Sequence, residues 1–385
     1  LDGWSRSCLE GLELAHDYIN AHAFIHDDQW VDVAGDRDEL SGHPLLVDAP
    51  LVVTSRTVPG PGPADMIALN HTGSGSGSRN STRIITTTGA SPLADLVNDN
   101  EKLCHFTQEV SARRLDLSVF YADRPELCTI KSAIESNGAR CAIHPDPRSY
   151  SRYTDHCANV RLLRSISDLW PESYVCEDEK EIHRAAGKVG FPLYCKHLDS
   201  RTEYARRYSD IAAYIQSEGF PILIQKEVEK RKSIVFHWIS WKGRTLPLFI
   251  LGQILKNGHH AGNEYSAEFE RFIVRRYSDV LKRSMALLPD WQGFAGMDLI
   301  LTDDPAGVIP IDLNARFNSS TLPFVSLFLR TKGEKLFSKY VYMRHDGATR
   351  DSDSRALEYQ HLTGRTQRFG GSRRDAISFT LTSYQ

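Results

Sequence analysis

The stretch MDLILTDDPAGVIPIDLNARFNSS, Met297–Ser320, carries Asp298, Asp312 and Asn314, a set that could hold a metal ion. MDLIL and VIPIDLN read as two strands, and the Asp, Pro and Gly cluster between them reads as a hairpin turn. Side chains along a strand alternate faces. Met297, Leu299 and Leu301 then form an apolar face with Ile309, Ile311 and Leu313. Asp298, Asp312 and Asn314 fall on the other face. A turn centred near Pro305 sets Asp298 opposite Asp312, and a slip of one residue would undo the pairing. Like charges directly across an antiparallel pair are destabilising, so a compensating partner is expected. Two carboxylates and an amide oxygen, without sulfur or imidazole, suit Mg²⁺ or Mn²⁺, with phosphate oxygens completing the coordination. Taken alone, the hairpin is equally consistent with a solvated polar face.

The rest of the chain must position this hairpin. Within residues 1–50, SCLEGLELAHDYINAHAFIH has helical periodicity, and LLVDAPLVVTS reads as a buried strand. VPGPGP and NHTGSGSGSRNS have loop composition, so a flexible loop is expected near 59–82. From RIITTTG onward strands and helices alternate. A strand at 83–88 precedes a helical stretch over 93–113. The strand LDLSVFYA, a helix over 125–137 and the strand ARCAIHP follow. This βαβαβ order predicts a parallel sheet. Its first strand lacks a glycine fingerprint, so dinucleotide binding is not expected. Helices are predicted over HCANVRLLRSISDLW, EDEKEIHRAAGKVG and 208–218. FPLYCKHL, PILIQKEV, KSIVFHWISW and TLPLFILGQIL read as strands. SAEFERFIVRRYSDVLKRSMALL is a long helix leading into the hairpin. Residues from Phe324 to about Met343 read as helical, His259 and His260 as loop, and 346–385 as a polar, mobile tail.

Composition narrows the function classes. The 385 residues allow two or three domains, and 41% hydrophobic with 25% charged residues is typical of a globular protein. A net charge of −3 gives no basic surface for nucleic acid or membrane, and no apolar run is long enough to span a bilayer. Seven scattered cysteines without a CxxC pair argue against a disulfide framework or a zinc ribbon. A cytoplasmic setting is expected.

Four segments then stand in order: GFPLYCKHL, with Lys196 at a strand end; FPILIQKEV; GFAGMDLIL; and IPIDLNARFNSST. Together they resemble the ATP-grasp family of ATP-dependent carboxylate–amine ligases and their carboxylase relatives, over roughly 161–328. The resemblance implies an α/β and α+β architecture. A parallel-sheet, pre-ATP-grasp-like domain (1–160) would precede an ATP-grasp domain (161–345). Within the latter, a small sheet subdomain (about 171–230) and a larger antiparallel one (about 231–345) would clasp ATP. It implies Asp298, Asp312 and Asn314 as ligands of Mg²⁺ or Mn²⁺, and Lys196 as a phosphate contact. Arg316 would sit near the transferring phosphate or the acyl phosphate. The linker Gln225, Lys226, Glu227 and Val228 would face adenine, with Glu229 the nearest acidic candidate for ribose. The implied reaction activates a carboxylate as an acyl phosphate and couples it to an amine, releasing ADP and phosphate. The implied partners are ATP, small-molecule carboxylate and amine substrates, and a second copy in a homodimer. A degenerate grasp domain that binds nucleotide or a partner without turnover is the alternative. The chain departs from the family pattern in four places, one of them the usual acidic ribose contact, which falls near Lys232. Asp312 stands where Glu is usual. KHLDSRTEY has no glycine after its lysine. For a further lysine expected before the small sheet, only His156, Arg161 or Arg164 could substitute.

Overall fold

The computed structural model describes residues 3–25, 49–54, 83–86, 91–120, 122–167, 169–197, 202–256, 259–303, 307–318, 320–330, 339–343, 357–360, 366–369 and 378–380. The loop expected near 59–82 lies outside them.

The N-terminal half is built on parallel pairing. Helix α1 (Gly3–Asn20) leads into β1 (His22–Ile25), which pairs with β2 (Leu51–Thr54) and β4 (Asp116–Val119). With β3 (Arg83–Thr86) and β5 (Ile143–His144) the sheet order is β3-β2-β1-β4-β5, all parallel. Alternation along β1 and β2 sends Ala23, Ile25, Leu51 and Val53 into one core cluster and Phe24 and Val52 into another. The predicted helical stretch over 93–113 is two helices, α2 (Pro92–Asn98) and α3 (Asn100–Arg113). Asp99 breaks them because its extended backbone and carboxylate cap the second helix by accepting from Lys102 N at 3.0 Å. Helix α4 (Glu126–Ser136) lies between β4 and β5.

Two short helices follow, α5 (Pro147–Thr154) and α6 (His156–Arg164). The aspartate before each, Asp146 and Asp155, caps its N-terminus. A four-stranded sheet of order β6-β9-β7-β8 comes next: β6 (Ser173–Cys176), β7 (Leu193–Lys196), β8 (Glu203–Ala205) and β9 (Ile222–Lys226). Helices α7 (Glu179–Val189) and α8 (Tyr208–Glu218) pack on it in a separate core, with Ile182, Ile211 and Ile224 fully buried. Each helix ends at a glycine with positive φ, Gly190 and Gly219, a backbone region open to glycine at little cost.

The third sheet is antiparallel. Strand β10 (Lys232–Trp241) turns into β11 (Arg244–Lys256) through Lys242 and Gly243, both with positive φ, as a two-residue hairpin of matching twist requires. Strand β12 (His259–Ser266), helix α9 (Ala267–Ala286), β13 (Gly293–Leu301), β14 (Val308–Asn314) and helix α10 (Thr321–Arg330) follow. The sheet order is β14-β13-β10-β11-β12-β15-β18, with β15 (Lys339–Met343) and β18 (Ser378–Thr380) at one edge. Residues 339–343 are thus a strand paired with β12, not the end of a helix. His259 and His260 open a strand and do not lie in a loop. Of the expected tail, β16 (Leu357–Gln360) and β17 (Thr366–Phe369) pair with each other, and β18 joins the large sheet.

The large sheet separates two cores. Ile234, Phe236 and Trp238 point to the side of α9. Val235 and Ile239 point to the side of α1 and α10. Both cores continue into the parallel sheet, which fixes the two sheets against each other. Gly11 marks how closely α1 sits on β11, because a Cβ there would meet the carbonyl oxygen of Pro247 at 2.1 Å.

Candidate functional site

The hairpin has the expected pairing at its functional end. Asp298 is the Cα partner of Asp312, Met297 of Leu313 and Gly296 of Asn314. Nearer the turn the register shifts, and Leu299 pairs with Pro310. Ile311 is the extra residue of a β-bulge, and a bulge breaks the two-residue alternation. This corrects the apolar face read from the sequence. Val308 and Leu313 join Met297, Leu299 and Leu301 in one core cluster, whereas Ile309 is buried outside that cluster and Ile311 is half-buried.

Three elements besides the hairpin bear on the carboxylate pair. From β11, Gln253 Nε2 donates to Asp298 Oδ1 at 3.1 Å. From the start of α6, His156 Nε2 meets Asp312 Oδ1 at 3.1 Å. From the end of β7, Lys196 Nζ donates to the carbonyl oxygen of Ile311 at 2.7 Å. That bond spans from the four-stranded sheet to the bulge, and it leaves Lys196 only 4% exposed. The guanidinium of Arg316 lies 4.8 Å from the centroid of the Phe120 ring, just beyond β4. Asn314 adds a side-chain hydrogen bond to Asp298.

The electrostatics divide the two carboxylates. Burial and then the Asp312 charge push the Asp298 carboxyl up to about 7, with Lys196, Arg316 and Asn314 offsetting only part of this. Burial also acts on Asp312, but the charge and hydrogen bond of His156, with Lys196 and Arg316, outweigh it. The Asp312 carboxyl is held well below the ordinary range. Such a pair keeps one firm anion beside one that titrates near neutrality.

The predicted linker residues lie elsewhere in the cleft. Gln225 is buried on β9 and donates to Ser173 Oγ at 3.3 Å. The backbone N–H of Lys226 donates to Glu172 O at 2.8 Å, and its side chain is exposed. Glu227 accepts from the Tyr204 hydroxyl at 3.1 and 3.2 Å. Val228 is half-buried and Glu229 exposed. The segment then rejoins the large sheet through Arg231 N to Leu301 O at 2.8 Å. Residues 225–229 thus connect the two antiparallel sheets, as a hinge strand would.

The structure also shows what sequence reasoning missed. Gln253 is a lone polar residue inside FILGQIL, and that was its signal. Phe120 had none. Of His156, Arg161 and Arg164, His156 is the one that touches Asp312. Below the pair, His237 is fully buried and pushed down to about 3 by burial. Its ring nitrogens meet Ser320 Oγ and Thr321 Oγ1, each at 3.3 Å, and both hydroxyls bond Asn318 Oδ1. This neutral network ties the start of α10 to the floor of the site.

No protein-family model matches the sequence, and no curated protein does. Solved structures do match. N5-carboxyaminoimidazole synthase from Aspergillus clavatus, in complex with ADP and 5-aminoimidazole ribonucleotide, superposes with a TM-score of 0.57 at 11% identity, covering 95% of each chain. The biotin carboxylase domain of the 2-oxoglutarate carboxylase of Hydrogenobacter thermophilus, a dimer with MgADP, ADP and bicarbonate, gives 0.55 at 12% identity. It covers 92% of this chain and 85% of that one. An ATP-grasp superfamily protein from Archaeoglobus fulgidus gives 0.50 at 13% identity over 86% and 95%. The chain has the ATP-grasp fold. In ATP-grasp terms, the parallel sheet precedes the grasp, and the four-stranded and seven-stranded sheets are its two jaws. The Asp298–Asp312 pair lies on the larger jaw and Lys196 on the smaller.

Proposed function

We propose that this protein is an ATP-dependent ligase that activates a carboxylate as an acyl phosphate and couples it to an amine. The observation that carries this reading is the Asp298–Asp312 pair with Lys196 of the opposite jaw bonded to the adjacent Ile311 carbonyl. The donor set fits a hard divalent cation. Asp298 and Asp312 face each other across one strand pair, Asn314 adds an amide oxygen, and burial followed by the Asp312 charge raises the Asp298 carboxyl. Asp298, Asp312 and Asn314 would hold Mg²⁺ or Mn²⁺, which would neutralise charge on the ATP phosphates. Lys196 would contact the phosphates, and Arg316, braced on Phe120, the transferring phosphoryl group. The connector 225–229 would face adenine largely through its backbone, with Glu229 nearest the ribose.

In this scheme a substrate carboxylate oxygen attacks the γ-phosphorus and the bond to the β,γ-bridging oxygen breaks, giving ADP and an acyl phosphate. The amine nitrogen then attacks the acyl carbon, the carbon–oxygen bond to phosphate breaks, and the amine loses a proton. Positioning and charge neutralisation carry most of such a reaction. Closure of the two jaws would shield the acyl phosphate from water. The carboxylate could be an amino acid, a short peptide or bicarbonate, the last because a neighbour of similar extent is described with bicarbonate bound. The reading includes a cytoplasmic setting and a homodimer. The decisive experiment measures ADP release with Mg²⁺ against a panel of carboxylates, bicarbonate included, and amines. Turnover above an Asp312→Ala control of equal folded fraction is expected. None above it refutes the ligase.

A second reading is favoured by one observation. His156 engages Asp312 Oδ1, and Lys196 engages the Ile311 carbonyl. Both groups are thereby committed within the protein, as in a grasp domain that binds nucleotide without turning it over. Calorimetric binding of ATP with Mg²⁺, without turnover, would support that reading.

A further inference from the structure

A second constellation lies in the parallel sheet. His22 opens β1, Asp116 opens β4 as its pairing partner, and His144 ends β5. One ligand atom from each lies within 4.8 Å of the others. It is separate from the Asp298–Asp312 pair. Phe120, which supports Arg316, is four residues beyond Asp116, about 13 Å of extended strand.

The hydrogen bonding prepares these groups for a metal. The imidazole of His22 is fully buried, and its Nδ1 bonds the carbonyl oxygen of Tyr18. A ring nitrogen facing a carbonyl must be the N–H, so Nε2 carries the free lone pair. Nε2 is buried and has no hydrogen-bond partner. A nitrogen in that condition costs free energy unless something occupies its lone pair. Asp116 uses Oδ1 to accept from Ala142 N at 2.7 Å and turns Oδ2 toward His144 Nε2, 4.0 Å away. His144 Nδ1 is likewise buried and unpartnered. The Tyr18 ring stacks on His22 at 3.8 Å between centroids and holds its plane. Burial pushes both imidazoles down, His22 to about 3, so both are neutral, as a ligand must be. The nearby charges are Asp116, Asp146 and the ammonium of Lys242, two anions against one cation. Cys141, close to Asp116, is pushed up to about 12 by burial and stays a thiol.

We propose that His22 Nε2, His144 and Asp116 Oδ2 form a binding site for a borderline transition-metal cation, Zn²⁺ foremost. Two imidazoles and one carboxylate are a zinc donor set, and Mg²⁺ and Ca²⁺ prefer all-oxygen shells. Tetrahedral ligands about 2.1 Å from zinc lie about 3.4 Å apart. The ligand atoms, within 4.8 Å of one another, would close by roughly 1 Å to reach that spacing. The backbone acceptor on His22 and the Ala142 donor on Asp116 are the outer contacts that orient metal ligands. Bound there, the ion would join the ends of β1, β4 and β5.

The test uses the untagged full chain after chelator treatment, with Zn²⁺ alone titrated by calorimetry and Co²⁺ as a spectroscopic probe. One equivalent of Zn²⁺ per chain is expected, with a tetrahedral Co²⁺ absorption band and a rise in melting temperature. Binding should weaken at least tenfold in both Asp116→Asn and His144→Ala, and persist in Asp312→Ala. Asp116→Asn keeps the acceptor for Ala142 N, so its fold is preserved. Absence of Zn²⁺ binding, binding that both variants leave unchanged, or binding lost in Asp312→Ala would each overturn the proposal.

Discussion

Replacing Asp298 by asparagine should stabilise the protein in the absence of metal, and the gain should depend on pH. Asp298 Oδ1 accepts from Gln253, and an amide oxygen can accept the same bond. The amide nitrogen can donate toward Asp312. The substitution therefore removes charge and keeps the hydrogen bonding. Magnitude follows from the carboxyl, which moves from 3.8 in the unfolded chain to about 7 in the fold. At about 1.4 kcal/mol per unit, the ceiling is about 4 kcal/mol. The site is partly open to solvent, so screening cuts this to about 1–3 kcal/mol. The sign follows from proton counting. Between pH 4 and 7 the folded state binds the proton that the unfolded state has released, so wild-type stability falls as pH rises through this window. The variant has no such group. Its advantage should be near zero at pH 4, grow to pH 7 and then level off, reaching roughly 1–5 °C in melting temperature for a chain of this size. Thermal unfolding of both proteins at pH 4, 5, 6, 7 and 8 without divalent cations measures it. Adding Mg²⁺ with ATP should stabilise the wild type and not the variant. A variant that melts several degrees lower at pH 8, or a difference that ignores pH, refutes the account of a carboxylate destabilised by its neighbour.

Three further outcomes follow from the geometry. His156→Gln should cost about 1–2 kcal/mol in urea unfolding at pH 6. Because Asp312 is depressed in the fold, the loss should shrink as pH drops below 4, where the wild type loses the same contribution. Gly11→Ala should lower stability by about 2 kcal/mol, because a Cβ 2.1 Å from a backbone oxygen outweighs the ~1 kcal/mol helix-propensity gain, and the melting curve reports it. Asp312→Glu should weaken calorimetric binding of ATP with Mg²⁺, although it restores the residue usual in the family. The longer side chain would carry the carboxylate past His156, and tighter binding would refute this.

The hairpin was legible because two independent signals agreed. The Asp-Pro-Gly cluster placed the turn, and the alternation of apolar residues placed the faces of the first strand. The bulge at Ile311 was not legible, since VIPIDLN alternates on paper whether or not one residue is extra. The parallel sheet followed from the βαβαβ order, a pattern of local periodicities. The strands β12 and β15 were missed for the opposite reason. HHAGNEYS has the composition of a loop, and KYVYM follows an apolar helix whose periodicity was carried too far. β12 forms because β11 and β15 supply its hydrogen bonds, and β15 because β12 and β18 supply its own. The cluster at 22, 116 and 144 has no motif at all, because parallel pairing alone brings those positions together.

The bulge also bears on why aspartate can stand at position 312. An aspartate is one methylene shorter than glutamate, so the same strand path would leave its carboxylate short of partners arranged for the longer residue. A bulge adds a residue to one strand and re-aims the side chains beside it. Here it falls at Ile311, immediately before Asp312, and its carbonyl is the acceptor for Lys196. One backbone irregularity therefore does two things: it resets the direction of the shorter carboxylate, and it offers the opposite jaw a point of attachment. His156, placed at the first turn of α6 by the Asp155 cap, then reaches Asp312 at hydrogen-bond distance. The charge balance of the site is thus set by groups from both jaws and from α6.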